Sequence, residues 1–386
     1  MQTGLAPADA GRFRVEGIDA LRGLSVLFVV LHHIHIRFKM NGFPVAGVLP
    51  RMLDQVLFWS GYYAVIAFFV ISGFLITNLS MRRWSTLGNI DLGRFYVLRA
   101  ARILPCLLLL IAVLSTLHIA GAGGFVIDTE RASLGRTVLA ALTFHVNWLE
   151  GHHGYLPGGW DVLWSLSVEE VFYLAFPLLC LTLRSERLLI VPLVLLIVIG
   201  PINRAQLTGV DPWQDYAYLS CMDGIAFGCL AALLAARVRL SRQVLLGALT
   251  VGVVAVTSIV VFRAPTAWLG LTNTGLHITV LELGVALVLV ALSRGVGNDA
   301  LTRGTGLIRS IGRASYEIYL VHMFVVLGLT LAFKAWNLPP ATIPVAYLVM
   351  LALSAMLGKL VARVFSEPMN AWLRSRATDQ KVATQA

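Results

Sequence analysis

The sequence predicts an all-α integral membrane protein, a bundle of about ten transmembrane helices with N- and C-termini cytoplasmic. Three observations lead there. Hydrophobic residues make up 58% of the 386 positions and charged ones only 13%, about half the roughly 25% charged content of ordinary soluble domains. The mean hydropathy is +0.80, and the apolar residues run in blocks of about fifteen to twenty-four, the length a helix needs to cross roughly 30 Å of hydrocarbon. Basic residues, finally, are dense in every second connecting segment and sparse in the others, the pattern that orients membrane helices.

In order, the predicted spans are 23–38, 56–79, 103–120, 162–182, 188–202, 215–236, 243–262, 270–293, 314–333 and 342–362. Helices are expected because lipid offers no partners for free backbone groups. A cytoplasmic segment, 1–16, precedes the first span. It holds Asp9 and Glu16, and no small-residue cleavage pattern follows the first apolar run, so that span is expected to remain in the protein. The inner segments then carry Arg12, Arg14 and Arg22; Arg82, Arg83, Arg94, Arg99 and Arg102; Arg184 and Arg187; Arg237, Arg239 and Arg242; Arg294, Arg303, Arg309 and Arg313; and Arg363, Arg374, Arg376 and Lys381. The outer segments keep Arg37, Lys39, Arg51, Arg131, Arg136, Arg204, Arg263 and Lys334. That is 21 of the 30 basic residues against 8, with Lys359 inside the last span. The net charge of +10 is therefore a topology signal. Nucleic acid is excluded as a partner, since no loop joins a basic stripe to interleaved aromatics; the partner is the lipid bilayer.

Cys106, Cys180, Cys221 and Cys229 all fall in apolar spans without C-x-x-C spacing, as buried structural thiols do. The longest outer segment, about 121–161, is rich in glycine and holds His145, His152, His153 and Trp160; it either shapes an outer acceptor site or is a loose connector. One membrane domain is expected over 17–368, followed by a flexible cytoplasmic tail at 369–386.

Ionisable side chains inside a bilayer cost on the order of 2.5–3.5 kcal/mol each, which makes each a functional candidate. Arg22 and His33 are eleven residues apart, so they share a helix face within about 20° and lie about 16 Å apart along the axis. His32 and His35 point away from that face. The pair either holds a charged donor at the inner surface beneath a mid-membrane base, or is a topology anchor beside a packing histidine. Arg99 and Arg102, at i,i+3, can grip one anion from one face or meet lipid headgroups. Ser165 and Glu169, at i,i+4, share a face at the outer start of the fourth span; the acids Glu169 and Glu170 either serve the helix dipole or orient a substrate. Ser315, Tyr319 and His322 form a polar stripe that must face the bundle interior or a wet cavity, as site lining or as glue between helices. On composition alone a secondary transporter with intramembrane His and Glu fits as well.

Together these stretches resemble the membrane-bound acyltransferase 3 family, which O-acylates bacterial surface sugars, lipopolysaccharide, peptidoglycan and some antibiotics. The likeness runs from Gly17 to Pro368. Arg22 and His33 are similar to its R-x10-H motif, Ala67 to Ile76 to its F-F-x-I-S-G-F-L-I signature with Ser72, and Arg99-Ala-Ala-Arg102-Ile-Leu-Pro105 to its R-x-x-R-I-x-P segment. Trp164-Ser165-Leu166 with Glu169-Glu170 resembles W-S-L-x-x-E-E, Ser315-Tyr316-x-x-Tyr319-Leu320-x-His322 resembles S-Y-x-x-Y-L-x-H, and Glu367-Pro368 closes the domain. One departure is Val162, where family members commonly carry a histidine; Asp161, His152 or His153 are the candidates to replace it.

The resemblance implies an O-acyltransferase in a bacterial-type cytoplasmic (inner) membrane, with acyl-CoA, usually acetyl-CoA, as co-substrate and no metal. It implies Arg22, Arg99 and Arg102 as the donor-phosphate residues and His33 as general base, with Glu169 orienting the acceptor or stabilising the imidazolium. Ser72, Trp164, Ser165, Tyr316, Tyr319 and His322 would line the substrate pocket. The acceptor is expected to be a sugar, a glycoconjugate or a polyketide-type molecule. With no esterase-like module fused, direct transfer is expected.

Overall fold

The computed structural model describes residues 15–45 and 49–385, with side chains at all of them except 264 and 377–385. Arg12, Arg14 and the Lys381 side chain lie outside the described residues. Among the described residues ten helices are long and apolar enough to cross a membrane: α1 (Glu16–Met40), α2 (Gly61–Trp84), α3 (Leu92–Ile119), α4 (Leu163–Leu183), α5 (Glu186–Gln206), α6 (Tyr218–Arg237), α7 (Arg242–Val261), α8 (Leu276–Ser293), α9 (Ser315–Ala335) and α10 (Ile343–Val361).

These are the ten predicted blocks with different ends, and the ends have local causes. α3 begins at Leu92 because the Asp91 side chain accepts a hydrogen bond from the Arg94 amide at 2.9 Å, an N-cap that lets the helix start in the polar zone. Arg94, Arg99 and Arg102 thereby ride on the helix. α1 runs on to Met40, so Arg37 and Lys39 belong to its last turn, where cations complement the helix dipole, and not to an outer loop. α2 starts only at Gly61 because a separate short helix, Arg51–Phe58, precedes it; another, Arg263–Trp268, precedes α8. At the far end α10 passes through a π-helical stretch, Ala362–Ser366, into α11 (Glu367–Gln385). The stretch expected to be a loose tail is thus helical and lies against α3; beyond Pro368 it holds no glycine or proline to interrupt it.

Arg204 is a second departure from the predicted outer charges. It is buried in the last turn of α5. Its guanidinium holds both Asp223 oxygens on α6, at 2.8 and 3.1 Å, and reaches Thr279 Oγ1 on α8 at 2.9 Å. Buried charge must be paired in this way. All four cysteines are buried, as expected.

Two apolar clusters form the core. Phe69, Phe172, Ile225 and Leu289 belong to one, built from α2, α4, α5, α6 and α8. Ile34, Leu107, Val326 and Met350 belong to the other, built from α1, α3, α9 and α10. Within the first, α2 and α6 approach backbone to backbone: a Cβ on Gly73 would strike the Ile225 carbonyl, and one on Gly228 the Val70 carbonyl. Small residues make such contact possible between membrane helices. Val191 and Leu195 on α5 and Val251 and Val254 on α7 face outward, the surface that lipid covers. α1 packs on both α2 and α9, and α4 sends Trp164 and Val168 to one cluster and Leu163 and Leu166 to the other. These two helices define a seam, and the polar residues singled out by sequence gather along it.

The glycine-rich segment, predicted to be an outer one, is ordered into the helices Leu134–Leu142, Val146–His153 and Gly158–Asp161. It buries Asn147, Glu150 and Trp160. The Val146 amide donates to Ser167 Oγ at 3.1 Å, which fixes the segment to α4.

Candidate active site

α1 and α9 run side by side and meet at two levels. At the lower one Arg22 Nη2 donates to Ser315 Oγ at 2.9 Å. At the upper one His322 Nε2 and His33 Nδ1 are 3.0 Å apart. Eleven residues of α1 rise about 16 Å and seven of α9 about 10 Å, and the long arginine side chain spans the difference. The helix geometry that puts Arg22 and His33 on one face thus delivers both to the same neighbour.

The hydrogen bonds fix which ring nitrogens carry protons when both imidazoles are neutral. His322 Nδ1 lies 2.7 Å from the Tyr319 carbonyl oxygen and 3.2 Å from that of Ile318. A carbonyl only accepts, so Nδ1 bears the hydrogen and Nε2 a lone pair. His33 Nδ1 faces that lone pair and, at 3.0 Å, the Val29 carbonyl. Both are acceptors, so His33 Nδ1 also bears the hydrogen. His33 Nε2 is left as an unprotonated nitrogen, the form of a general base. The other two histidines of α1 are occupied elsewhere: His32 Nδ1 lies 2.7 Å from the Phe58 carbonyl, and His35 takes the Tyr347 hydroxyl at 3.2 Å and stacks on Phe58.

Below the histidines, Ser165 Oγ on α4 and the Tyr319 hydroxyl on α9 are 2.7 Å apart. Trp164 turns the other way and stacks on Tyr216, ring centroids 4.1 Å apart. Glu169, half-buried, lies beside Ser72, Tyr173, Arg99 and Arg22. Ser72 is itself hydrogen-bonded to the Tyr173 hydroxyl. Arg99 lies over the Tyr173 ring, 3.6 Å from its centroid, and 3.8 Å from Glu170. Arg102 instead pairs with buried Glu317 at 3.0 Å and covers Tyr316, whose hydroxyl donates to the Ile103 carbonyl.

The two α3 arginines, expected to grip one anion together, therefore turn toward different helices, Arg99 to α4 and Arg102 to α9. Sequence reasoning left Tyr173 and Glu317 out of the site. For Glu317 a signal existed, since a carboxylate inside an apolar span is expensive without a purpose.

At the start of α4 Val162 is buried in the second core cluster and brings no polar group to the seam. Of its candidate replacements, His152 and His153 are exposed, whereas Asp161 is buried and accepts the Tyr216 hydroxyl at 3.0 Å. Beside it Glu150, in the glycine-rich segment, accepts the Leu156 amide at 2.9 Å. Burial first, and the neighbouring Asp161 carboxylate second, hold the Glu150 carboxyl well above the usual range. Among the described residues no three His, Cys, Asp or Glu side chains converge as a metal ligand set.

The profile of a family described as an acyltransferase domain matches residues 15–359. The chain is 28% identical over 177 residues to "Putative O-acetyltransferase SACOL0978" of Staphylococcus aureus (strain COL), covering 44% of this chain and 25% of that one. It is 24% identical over 380 residues to the O-acetyltransferase OatA of Staphylococcus aureus (strain NCTC 8325 / PS 47), covering 92% of this chain and 57% of that one. The chain therefore spans between a quarter and about three fifths of the length of these relatives. No solved structure matches.

Proposed function

The chain belongs to the acyltransferase domain family, whose members transfer acyl groups, and from that premise we propose that it is an O-acetyltransferase using acetyl-CoA. The observation that carries the reading is the His33–His322 pair, with its lone-pair nitrogen on His33. The names of the relatives support the acetyl group and the oxygen acceptor. In this reading both termini and the donor are cytoplasmic, the membrane is the bacterial inner membrane, and Arg22, Arg99 and Arg102 meet the donor's phosphates. Arg99 and Arg102 each carry five N–H donors, more than the Glu170 or Glu317 oxygen beside them takes, so these carboxylates orient the two arginines without exhausting them.

The acceptor is a hydroxyl of a sugar, a glycoconjugate or a polyketide-type molecule. His33 Nε2 takes the hydroxyl proton as the oxygen attacks the thioester carbonyl. A C–O bond forms, the C–S bond breaks, and the proton leaves on the CoA thiol. A base placed in this way contributes about 10²–10⁴ in rate. Glu169 stabilises the imidazolium or orients the acceptor, and Ser165, Tyr316 and Tyr319 line the pocket. The test is purified full chain in nanodiscs with labelled acetyl-CoA and a panel of methyl glycosides and other hydroxylated acceptors. Label appearing in an ester with release of CoA supports the proposal; intact thioester, or accumulation of an acceptor without chemical change, contradicts it.

A further inference from the structure

One turn outward from His33 on the same helix lies Arg37, offset by about 6 Å and 40° and within electrostatic reach of His33. Its guanidinium fills a specific gap: Nη2 lies where a side chain on Gly158 would begin, and the Met323 methyl borders the same space. Gly158 opens the short helix Gly158–Asp161, whose last residue, Asp161, is within electrostatic reach of Arg37. Arg37 thus lies against a bare glycine one turn along α1 from His33, with the Asp161 carboxylate within electrostatic reach.

Its hydrogen bonding is incomplete. Among the described residues Nη1 reaches only the Met40 sulfur, a weak acceptor, at 3.7 Å. Nε is buried without a partner among the described residues. A buried N–H is strongly favoured to find an oxygen, and this one stands on the residue one turn along α1 from His33. Asp161 balances the guanidinium charge, so the oxygen it takes need not be anionic.

We propose that Arg37 is an acceptor-positioning residue: its Nε–H donates to a neutral oxygen, ether or hydroxyl, adjacent to the hydroxyl that His33 deprotonates. The acceptor is then an uncharged, oxygen-rich molecule. This rests on the acyltransfer reading above, and the test separates the two.

The full chain, Arg37→Lys, Arg37→Ala and Gly158→Ala are compared in nanodiscs with labelled acetyl-CoA, with and without a methyl glycoside that the unaltered chain acetylates. Arg37→Lys keeps a cation beside Asp161 but removes the Nε–H; Gly158→Ala keeps the guanidinium but displaces it. Loss of one hydrogen bond from a charged donor lowers the ratio of acceptor ester to hydrolysed acetate by about ten- to a hundredfold, through a higher acceptor KM. Equal falls in transfer and hydrolysis mean that Arg37 only supports the fold, and a ratio unchanged in Arg37→Lys and Gly158→Ala means that Nε binds nothing; either result overturns the proposal. Thioester turnover with no neutral glycoside acetylated overturns it as well. No thioester loss by the unaltered chain overturns the acyltransfer reading, and this proposal with it.

Discussion

Removing the His322 imidazole should weaken catalysis far less than removing its partner. His322 touches His33 through one neutral hydrogen bond of 3.0 Å and is otherwise tied to its own helix at Ile318 and Tyr319. Such a bond contributes about 0.5–1.5 kcal/mol net, which corresponds to about two- to tenfold in rate. Loss of the base itself removes about 10²–10⁴. In initial-rate assays of label moving from acetyl-CoA to acceptor, His322→Ala should therefore lower kcat by about two- to tenfold and leave the donor KM in place. The His33→Ala/His322→Ala double variant should match His33→Ala alone, because the second residue acts only through the first. The reasoning is refuted if His322→Ala is as damaging as His33→Ala, which would move the base to His322. Additive losses in the double variant would also refute it.

Two further predictions concern stability. Arg204→Met leaves Asp223 buried without its cation and Glu282 beside it, a loss of about 3–5 kcal/mol; an unfolding midpoint in detergent equal to that of the unaltered chain would show that the ion pair is dispensable. Glu150 binds its proton more tightly folded than unfolded, where its ordinary value is 4.5. Its stabilising contribution is therefore complete below that pH and is lost as pH rises through the raised value. Glu150→Gln, neutral throughout, should flatten the decline of the midpoint across that window; parallel curves would show that Glu150 is not its source.

What could be read in advance follows from which signals are local. Each span is a continuous run, so the count of ten and the membrane class were legible. Span ends depend on single caps such as Asp91 and on breaks such as Ser60-Gly61, which hydropathy averages away. Helical period put Arg22 and His33 on one face and Ser315, Tyr319 and His322 on another. It carried no information that these faces meet across 289 residues. The same limit explains Arg99 and Arg102: an i,i+3 spacing places them near each other, but their targets, Glu170 and Glu317, are chosen by which helices flank α3. Lys39 and Arg204 looked like outer-loop charges because α1 and α5 extend past their apolar runs. The folding of the glycine-rich segment around Glu150 and Trp160 rests on tertiary contacts that its composition does not encode.

The most direct test of the account is acyl transfer by His33→Ala. With expression and the unfolding midpoint unchanged, transfer from acetyl-CoA to acceptor should fall by at least about a hundredfold. Transfer at the rate of the unaltered chain would remove His33 as the base and with it the chemistry assigned to the seam.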